Sequence, residues 1–131
     1  MSSKVIVITG ASSGIGAALA RELGGQGHSL VLAARRAPEL KAVAAELKAL
    51  AVVTDVTRRA EVDALRDAAL KAHGHVDVWV SNAGQGLTRP VLELTDGDLD
   101  LMMAVNVKSA LYGMQSIAPA MMGRGTGHII N

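Results

Sequence analysis

Residues 8 to 16 read Ile-Thr-Gly-Ala-Ser-Ser-Gly-Ile-Gly, and this stretch joins an apolar run to a segment of helical period. The apolar run, residues 5–8, is Val-Ile-Val-Ile, which predicts a fully buried parallel strand. Ala17, Leu19 and Leu23 mark the apolar positions of a following helix. Because the glycines allow the backbone to turn tightly between the two elements, the stretch predicts a strand–turn–helix unit.

The spacing of these glycines, G-x-x-x-G-x-G, indicates a loop that approaches a pyrophosphate. Glycine lets the backbone come close to phosphate, and the start of the following helix favours negative charge. A purely structural turn also needs glycine. The prediction of a phosphate-binding loop therefore depends on the place of these glycines between a strand and a helix. The predicted cofactor contacts in this loop are Gly10, Ser12, Ser13, Gly14, Ile15 and Gly16.

Four more apolar runs of strand length follow, at residues 29–33, 51–53, 76–80 and 128–130, separated by segments of helical period. In one of these segments Pro38 suits a first helical turn, and in another Gly74 closes a helix with a basic last turn. Strands that alternate with helices form right-handed βαβ units. The sequence therefore predicts an α/β fold, with residues 1–131 as one domain built on a doubly wound parallel sheet.

A long helix is predicted to open with a capping box of Thr95 and Asp98 and to run to Pro119. Asn106 and Gly113 lower the helix propensity within it. Core packing is the expected role of the methionines in this region, which are Met102, Met103, Met114, Met121 and Met122.

Composition excludes several classes of function. The chain has 131 residues, 50% of them hydrophobic, and a net charge of +1, so no basic surface for nucleic acid is predicted. The only large aromatic side chains are Trp79 and Tyr112, too few for stacking single-stranded bases. With no cysteine and no apolar run of membrane-spanning length, we expect a soluble cytoplasmic protein without a membrane partner.

Three further motifs follow the glycine loop in the order found in a known family. They are Asp55-Val56 after the third strand, Asn82-Ala83-Gly84 after the fourth, and Asn106-Val107 in the long helix. With the glycine loop, they resemble the short-chain dehydrogenase/reductase family over the whole chain. The resemblance implies a Rossmann-type sheet of strand order 3-2-1-4-5, with Asp55 and Val56 beside the adenine and Asn106 in the catalytic tetrad.

The predicted topology brings two of these motifs together. In that strand order the first and fourth strands are neighbours at the point where the order reverses, and ligands bind there. Gly10 and Asn82 both lie just past the carboxyl ends of those strands. A tight turn stabilised by the Asn82 side chain is a structural interpretation that holds equally well.

The end of the second strand predicts which dinucleotide binds. An enzyme that prefers NAD usually has an acidic residue there to bind the ribose 2′-hydroxyl, but this chain has Ala34 followed by Arg35 and Arg36. A guanidinium can bind a 2′-phosphate through two hydrogen bonds. We therefore predict NADP(H) rather than NAD(H), with a solvated loop arginine of no specific role as the alternative.

The family performs proton transfer with a Tyr-x-x-x-Lys pair and polarises the carbonyl with a serine, and this chain lacks both. Its only tyrosine, Tyr112, follows Lys108 by four residues, so the order is reversed, and we expect Tyr112 to pack in the core. The missing groups are expected beyond Asn131. The chain is thus interpreted as the NADP-binding part of the enzyme, truncated after the fifth strand and inactive alone.

Three functional hypotheses remain open. The chain belongs to an NADP-dependent oxidoreductase that acts on a small carbonyl or alcohol and is a homo-oligomer at full length. Alternatively, it binds the cofactor without catalysis, or it recruits a full-length relative. Residues 1–131 alone are expected to self-associate, because Ile129 and Ile130 would lie on an unpaired edge strand beside an uncovered helix stripe. The expected members of that stripe are Leu111, Met114, Ile117, Ala118 and Met121.

Two other interpretations, a metal site and a methyltransferase, are rejected. His73 and His75 are too few ligands for a metal site, and a helix end explains them. A methyltransferase would be expected to have an acidic residue near the end of the second strand, where Arg35 stands.

Overall fold

A computed structural model describes residues 2–131. Five parallel strands form one sheet in the order β3-β2-β1-β4-β5, which confirms the predicted doubly wound topology. The strands are β1 (Val5–Thr9), β2 (Ser29–Ala34), β3 (Leu50–Val53), β4 (Val78–Val80) and β5 (His128–Ile130). The order reverses between β1 and β4, so the loops that follow these two strands lie side by side.

Helices cover both faces of the sheet. They are α1 (Gly14–Gly25), α2 (Ala37–Leu47), α3 (Arg59–His73), α4 (Asp96–Met103) and α5 (Ser109–Arg124). On one face Ile8 and Leu32 pack with side chains of α1 and α2, and on the other Val7 and Trp79 pack with α3 and α5. Because both faces are covered, successive residues of a strand enter different cores, which explains the continuous apolar runs.

The predicted helix ends are confirmed where a side chain or a glycine defines them. Thr95 Oγ1 accepts a hydrogen bond from Asp98 N at 3.1 Å, and Asp98 Oδ2 accepts one from Thr95 N at 3.0 Å. At the end of α3, Gly74 adopts a φ of 81°, which is favourable for glycine.

The long helix departs from the prediction at two places. A π-helical segment, Ala104–Lys108, separates α4 from α5, and α5 continues past Pro119 to Arg124. Ile117 and Met121 lie on either side of Pro119, and both are buried, so they anchor α5 to the core before and after the proline. In addition, Arg66 Nη1 donates to the Ser116 carbonyl at 3.3 Å, so a carbonyl near the disruption receives a side-chain donor.

The predicted uncovered stripe of α5 is therefore wrong in part, because Ile117 and Met121 face the core. Core packing is also the wrong role for Met103, which is 44% exposed, and for Met122, which is 79% exposed. The exposed apolar side chains of α4, the π-helical segment and α5 that follow an i, i+4 spacing are Leu99, Met103, Val107 and Leu111. We call these four residues the apolar stripe.

Close packing of α5 against β4 depends on one glycine. A Cβ atom on Gly113 would lie 2.7 Å from Trp79 Nε1 and 3.0 Å from Ser81 Oγ. Those two polar atoms are buried and have no hydrogen-bond partner in the part of the chain that the structure describes. Tyr112 packs against the same core cluster, which confirms its predicted packing role.

Candidate cofactor-binding site

A cleft of about 430 Å³ opens at the carboxyl ends of β1, β2, β3 and β4, at the predicted switch point. Its volume lies in the range of small-molecule pockets. All the cofactor contacts predicted from the sequence line it except Gly14 and Gly16. The lining residues are Gly10, Ser12, Ser13, Ile15, Ala34, Arg35, Arg36, Thr54, Asp55, Val56, Thr57, Asn82, Ala83, Gly84 and Val105.

Two glycines of the loop after β1 are required by its geometry. Gly10 adopts a φ of 66°, which L side chains rarely adopt. Gly16 lies in the first turn of α1, where a Cβ atom would overlap the Gly10 carbonyl and lie 2.6 Å from Asn82 Nδ2. Gly16 therefore lets α1 approach both loops closely, although it does not line the cleft itself.

Thr9 and Asn82 tie the loops after β1 and β4 together. Thr9 Oγ1 accepts hydrogen bonds from the Asn82 and Ala83 backbone N–H groups, each at 3.0 Å. In return, Asn82 Nδ2 donates to the carbonyls of Thr9 at 3.2 Å and Gly10 at 3.3 Å. The structural interpretation of Asn82 thus holds, and Thr9, which the sequence analysis missed, is its partner.

Asn106 does not line the cleft; its side chain holds the backbone of Gln85. Its Oδ1 accepts from Gln85 N at 3.0 Å, and its Nδ2 donates to the carbonyls of Gln85 at 2.8 Å and Met102 at 3.0 Å. Asn106 is in the π-helical segment, a feature frequently found at functional sites. The geometry makes Asn106 a positioning residue for the loop after β4, and its place in a catalytic tetrad stays a prediction.

The corner of the cleft at the end of β2 is basic. Ala34 is buried there, and the exposed Arg35 and Arg36 follow it. Arg36 Nη2 donates to Ser13 Oγ at 3.3 Å, across from one loop to the other. Ser13 precedes α1, yet its side chain makes no capping hydrogen bond to that helix.

Asp55, which follows β3 and lines the cleft, is held ionised. Thr57 donates to Asp55 Oδ1 through its hydroxyl at 2.6 Å and its backbone N–H at 3.0 Å. These hydrogen bonds, the hydroxyl foremost, hold the pKa of the Asp55 carboxyl below its usual value, and the guanidinium groups of Arg35 and Arg58 lower it further. Beside it, Val56 is buried and gives the cleft an apolar wall.

A family model described as short chain dehydrogenase matches residues 4–131. The chain belongs to the short-chain dehydrogenase family. An uncharacterized oxidoreductase of Staphylococcus epidermidis is 39% identical over 130 residues, which are 98% of this chain and 56% of that protein. This short-chain dehydrogenase sequence thus spans about half the length of the curated relatives it matches.

Two solved structures of short-chain dehydrogenases superpose closely. A metagenomic short-chain oxidoreductase in complex with NADP is 40% identical, with a TM-score of 0.91 over 98% of this chain and 61% of that one. A short-chain dehydrogenase/reductase of Burkholderia phymatum in complex with NAD is 38% identical, with a TM-score of 0.93 over 97% of this chain and 47% of that one. These two relatives are thus described with different nicotinamide dinucleotides.

Among helices within residues 2–131, none has both the length and the apolar character that crossing a membrane requires.

Proposed function

We propose that this chain is the cofactor-binding part of an NADP(H)-dependent oxidoreductase that acts on a small carbonyl or alcohol. The observation that carries the proposal is the basic corner of the cleft, where Ala34, Arg35 and Arg36 line the end of β2. Membership of the short-chain dehydrogenase family supports the reaction class. The complex of the metagenomic relative with NADP supports the choice of cofactor.

The residues of the cleft fit NADP(H) in three respects. Gly10 and Gly16 bring the loop backbone and the start of α1 close to where a pyrophosphate would lie. Ala34 presents no carboxylate that would repel a 2′-phosphate, and the Arg35 guanidinium can bind one through two hydrogen bonds. The ionised Asp55 and the apolar Val56 are proposed to contact the adenine. When bound there, the nicotinamide would supply or accept the hydride.

The proposal excludes turnover by residues 1–131 alone. Tyr112 packs against the core and Lys108 is exposed, and neither residue lines the cleft as an acid/base pair would. Residues 1–131 have no positioned proton donor and no group that polarises the carbonyl, and hydride transfer without these two groups is slow. Measurable NADPH oxidation with a panel of ketones, abolished by Tyr112→Phe, would contradict this.

Titration of NADP⁺ and NAD⁺ against wild type and Arg35→Asp tests the cofactor. We expect wild type to bind NADP⁺ more tightly, and the variant to lose about 2–3 kcal/mol of NADP⁺ binding or more, because a charge-assisted pair becomes repulsive. Lys41→Asp is the matched control, because it makes the same change of charge at an exposed residue of α2 that does not line the cleft. Equal or tighter binding of NAD⁺ by wild type would refute the preference.

A further inference from the structure

A second cavity of about 430 Å³ lies on the same face of the sheet as α1 and extends along β4 and β5. Because alternate residues of a strand face the same side of a sheet, residues 78 and 80 of β4 line it together with residues 128 and 130 of β5. On the other face of β4, Trp79 packs with α3 and α5. Within residues 2–131, no residue lines both this cavity and the cofactor cleft. We call the second cavity the α1-side groove.

The walls of the α1-side groove are apolar and follow the direction of the strands. Val80 is paired with Ile8, four residues along β1 from Lys4, so the groove spans about 13 Å of strand length. The apolar lining residues are Ile6, Leu19, Leu23, Val78, Val80 and Ile130. Walls of this character and length fit an extended aliphatic chain.

One end of the α1-side groove is basic. Lys4 precedes β1, His28 precedes β2 and His128 is the first residue of β5, so all three lie at the amino ends of their strands. Lys4 N donates to His28 Nδ1 at 3.1 Å, which leaves the neutral His28 ring its Nε2–H as a donor. No acidic residue lines the groove in the part of the chain that the structure describes. This end of the groove therefore favours an anionic group.

We propose that the α1-side groove binds an unbranched aliphatic carboxylate. The aliphatic chain lies against the apolar walls, and the carboxylate lies at the basic end near Lys4, His28 and His128. An apolar cavity with a few polar groups at one place is the usual form of a small-molecule site. This site is separate from the cofactor cleft and does not depend on the proposed function.

The bound carboxylate contacts α1, β1, β4 and β5 at once. These elements come together only in the folded chain, so the ligand stabilises the fold in proportion to its free concentration. Thermal unfolding therefore gives a second measurement of binding, independent of calorimetry.

The experiment titrates octanoate against residues 1–131 by calorimetry. The control ligands are 1-octanol, which has the same chain without a charge, and octyltrimethylammonium, which has the opposite charge. We expect octanoate to bind about fivefold more tightly than octanol, and octyltrimethylammonium to bind more weakly than either. High salt should reduce the advantage of octanoate over octanol. Octanoate should also raise the Tm as its concentration increases.

Variants of the wall and of the basic end locate the site. Ile130→Glu should weaken octanoate by about tenfold or more, because it removes an apolar wall and adds a repelling carboxylate. Met122→Glu is the matched control, since Met122 is also exposed and apolar but does not line the groove. Lys4→Gln should weaken octanoate by about two- to fivefold and leave octanol unchanged, and Lys41→Gln on α2 is its control.

The outcomes that overturn the proposal are distinct from those of the proposed function. Absence of octanoate binding by wild type, or equal affinity in Ile130→Glu and Met122→Glu, would show that the groove is not the site. Equal affinity of wild type for octanoate and octanol would refute the selection of a carboxylate. NADP⁺ binding should be the same in all these variants, and the proposed function stands or fails on that titration alone.

Discussion

The two ends of the same parallel sheet use polar residues in different ways. At the amino end, Asp77 Oδ2 accepts hydrogen bonds from Val5 N at 2.8 Å and from His75 Nε2 at 3.0 Å, and Arg124 lies 3.5 Å from Oδ1. At the carboxyl end, Arg35 and Arg36 are exposed along a cleft. The polar groups around Asp77 at the amino end pair with one another, whereas the carboxyl end combines the paired Thr9 and Asn82 with the exposed guanidinium groups of Arg35 and Arg36.

This difference follows from the direction of the chain. In a parallel sheet every strand leads at its carboxyl end into a loop and the start of a helix, where backbone N–H groups are unpaired and attract anions. At the amino end, Asp77 joins β1, β4 and the end of α5. The comparison teaches that the amino end stabilises the fold without a part in the proposed cofactor binding, whereas the carboxyl end contains both stabilising and binding residues.

The largest effect is expected from Gly16→Ala at the carboxyl end. The added Cβ would overlap the Gly10 carbonyl and displace Asn82, which breaks the contact between the two loops. We expect NADP⁺ affinity to fall by about 100-fold or more, equivalent to roughly 3 kcal/mol. Gly25→Ala, at the other end of α1, has no atom within 4 Å of the added Cβ and should leave binding unchanged. Wild-type affinity in Gly16→Ala would contradict the loop geometry.

Asn106 should matter to the carboxyl end through the loop it holds. Asn106→Ala removes three hydrogen bonds and should lower the free energy of unfolding by about 1–3 kcal/mol. Asn106→Asp should be worse, because a carboxylate oxygen would then face the carbonyls of Gln85 and Met102. Urea unfolding of both variants measures which one loses more unfolding free energy. A smaller loss in Asn106→Asp than in Asn106→Ala would contradict the orientation of the Asn106 amide described above.

At the amino end, Asp77→Asn should lower stability without changing cofactor affinity. Burial acts to raise the pKa of the Asp77 carboxyl, but the Val5 N–H, His75 and Arg124 hold it below its usual value. A lowered pKa in the folded state means that the stabilisation is present above the ordinary carboxyl pKa of about 3.9 and is lost as pH falls further.

We therefore expect Asp77→Asn to lose about 1–2 kcal/mol at neutral pH. Its unfolding free energy should also depend less steeply on pH below about 4 than that of wild type. Unfolding in urea from pH 6 to pH 3 measures both effects, with Asp67→Asn, an exposed carboxyl outside this cluster, as the control. A loss of NADP⁺ affinity in Asp77→Asn would contradict the claim that the amino end of the sheet takes no part in cofactor binding.

The smallest effect is expected on the side of the molecule, at the apolar stripe of Leu99, Met103, Val107 and Leu111. Exposed apolar side chains at this spacing favour association of two copies. We propose that the chain self-associates through this stripe. Val107→Lys should weaken the association by about tenfold, because only the exposed half of the Val107 side chain is available for burial in the contact. Sedimentation at several concentrations measures it, with Lys108→Gln as a control. A wild-type monomer at high concentration would refute it.

Much of the fold could be predicted because local patterns and topology agree. The β-branched run before Gly10 and the glycine spacing predict β1 and its loop, and alternation of strands with helices predicts the parallel sheet. The capping box at Thr95 could be predicted because both partners lie within one turn. In each case the determining contacts are close in sequence or repeat with a regular period.

The parts that could not be predicted depend on contacts between distant residues. Thr9 is an unremarkable β-branched residue in the sequence, and only its position 3.0 Å from the backbone of Asn82 reveals its role. The contact between Ser13 and Arg36 spans two loops and has no local pattern. Helix α5 continues past Pro119 because burial of Ile117 and Met121 outweighs a local preference.

The burial of Trp79 beneath the loop that lines the cleft has a consequence for the fluorescence of the protein. Trp79 is the only tryptophan of the chain and is buried in β4, three residues before Asn82, which lines the cleft. Reduced nicotinamide absorbs light in the near-ultraviolet range where a buried indole emits. NADPH in the cleft should therefore quench Trp79 fluorescence by energy transfer, while NADP⁺ should not do so by this route. The molecule contains its own label-free reporter of which redox form is bound.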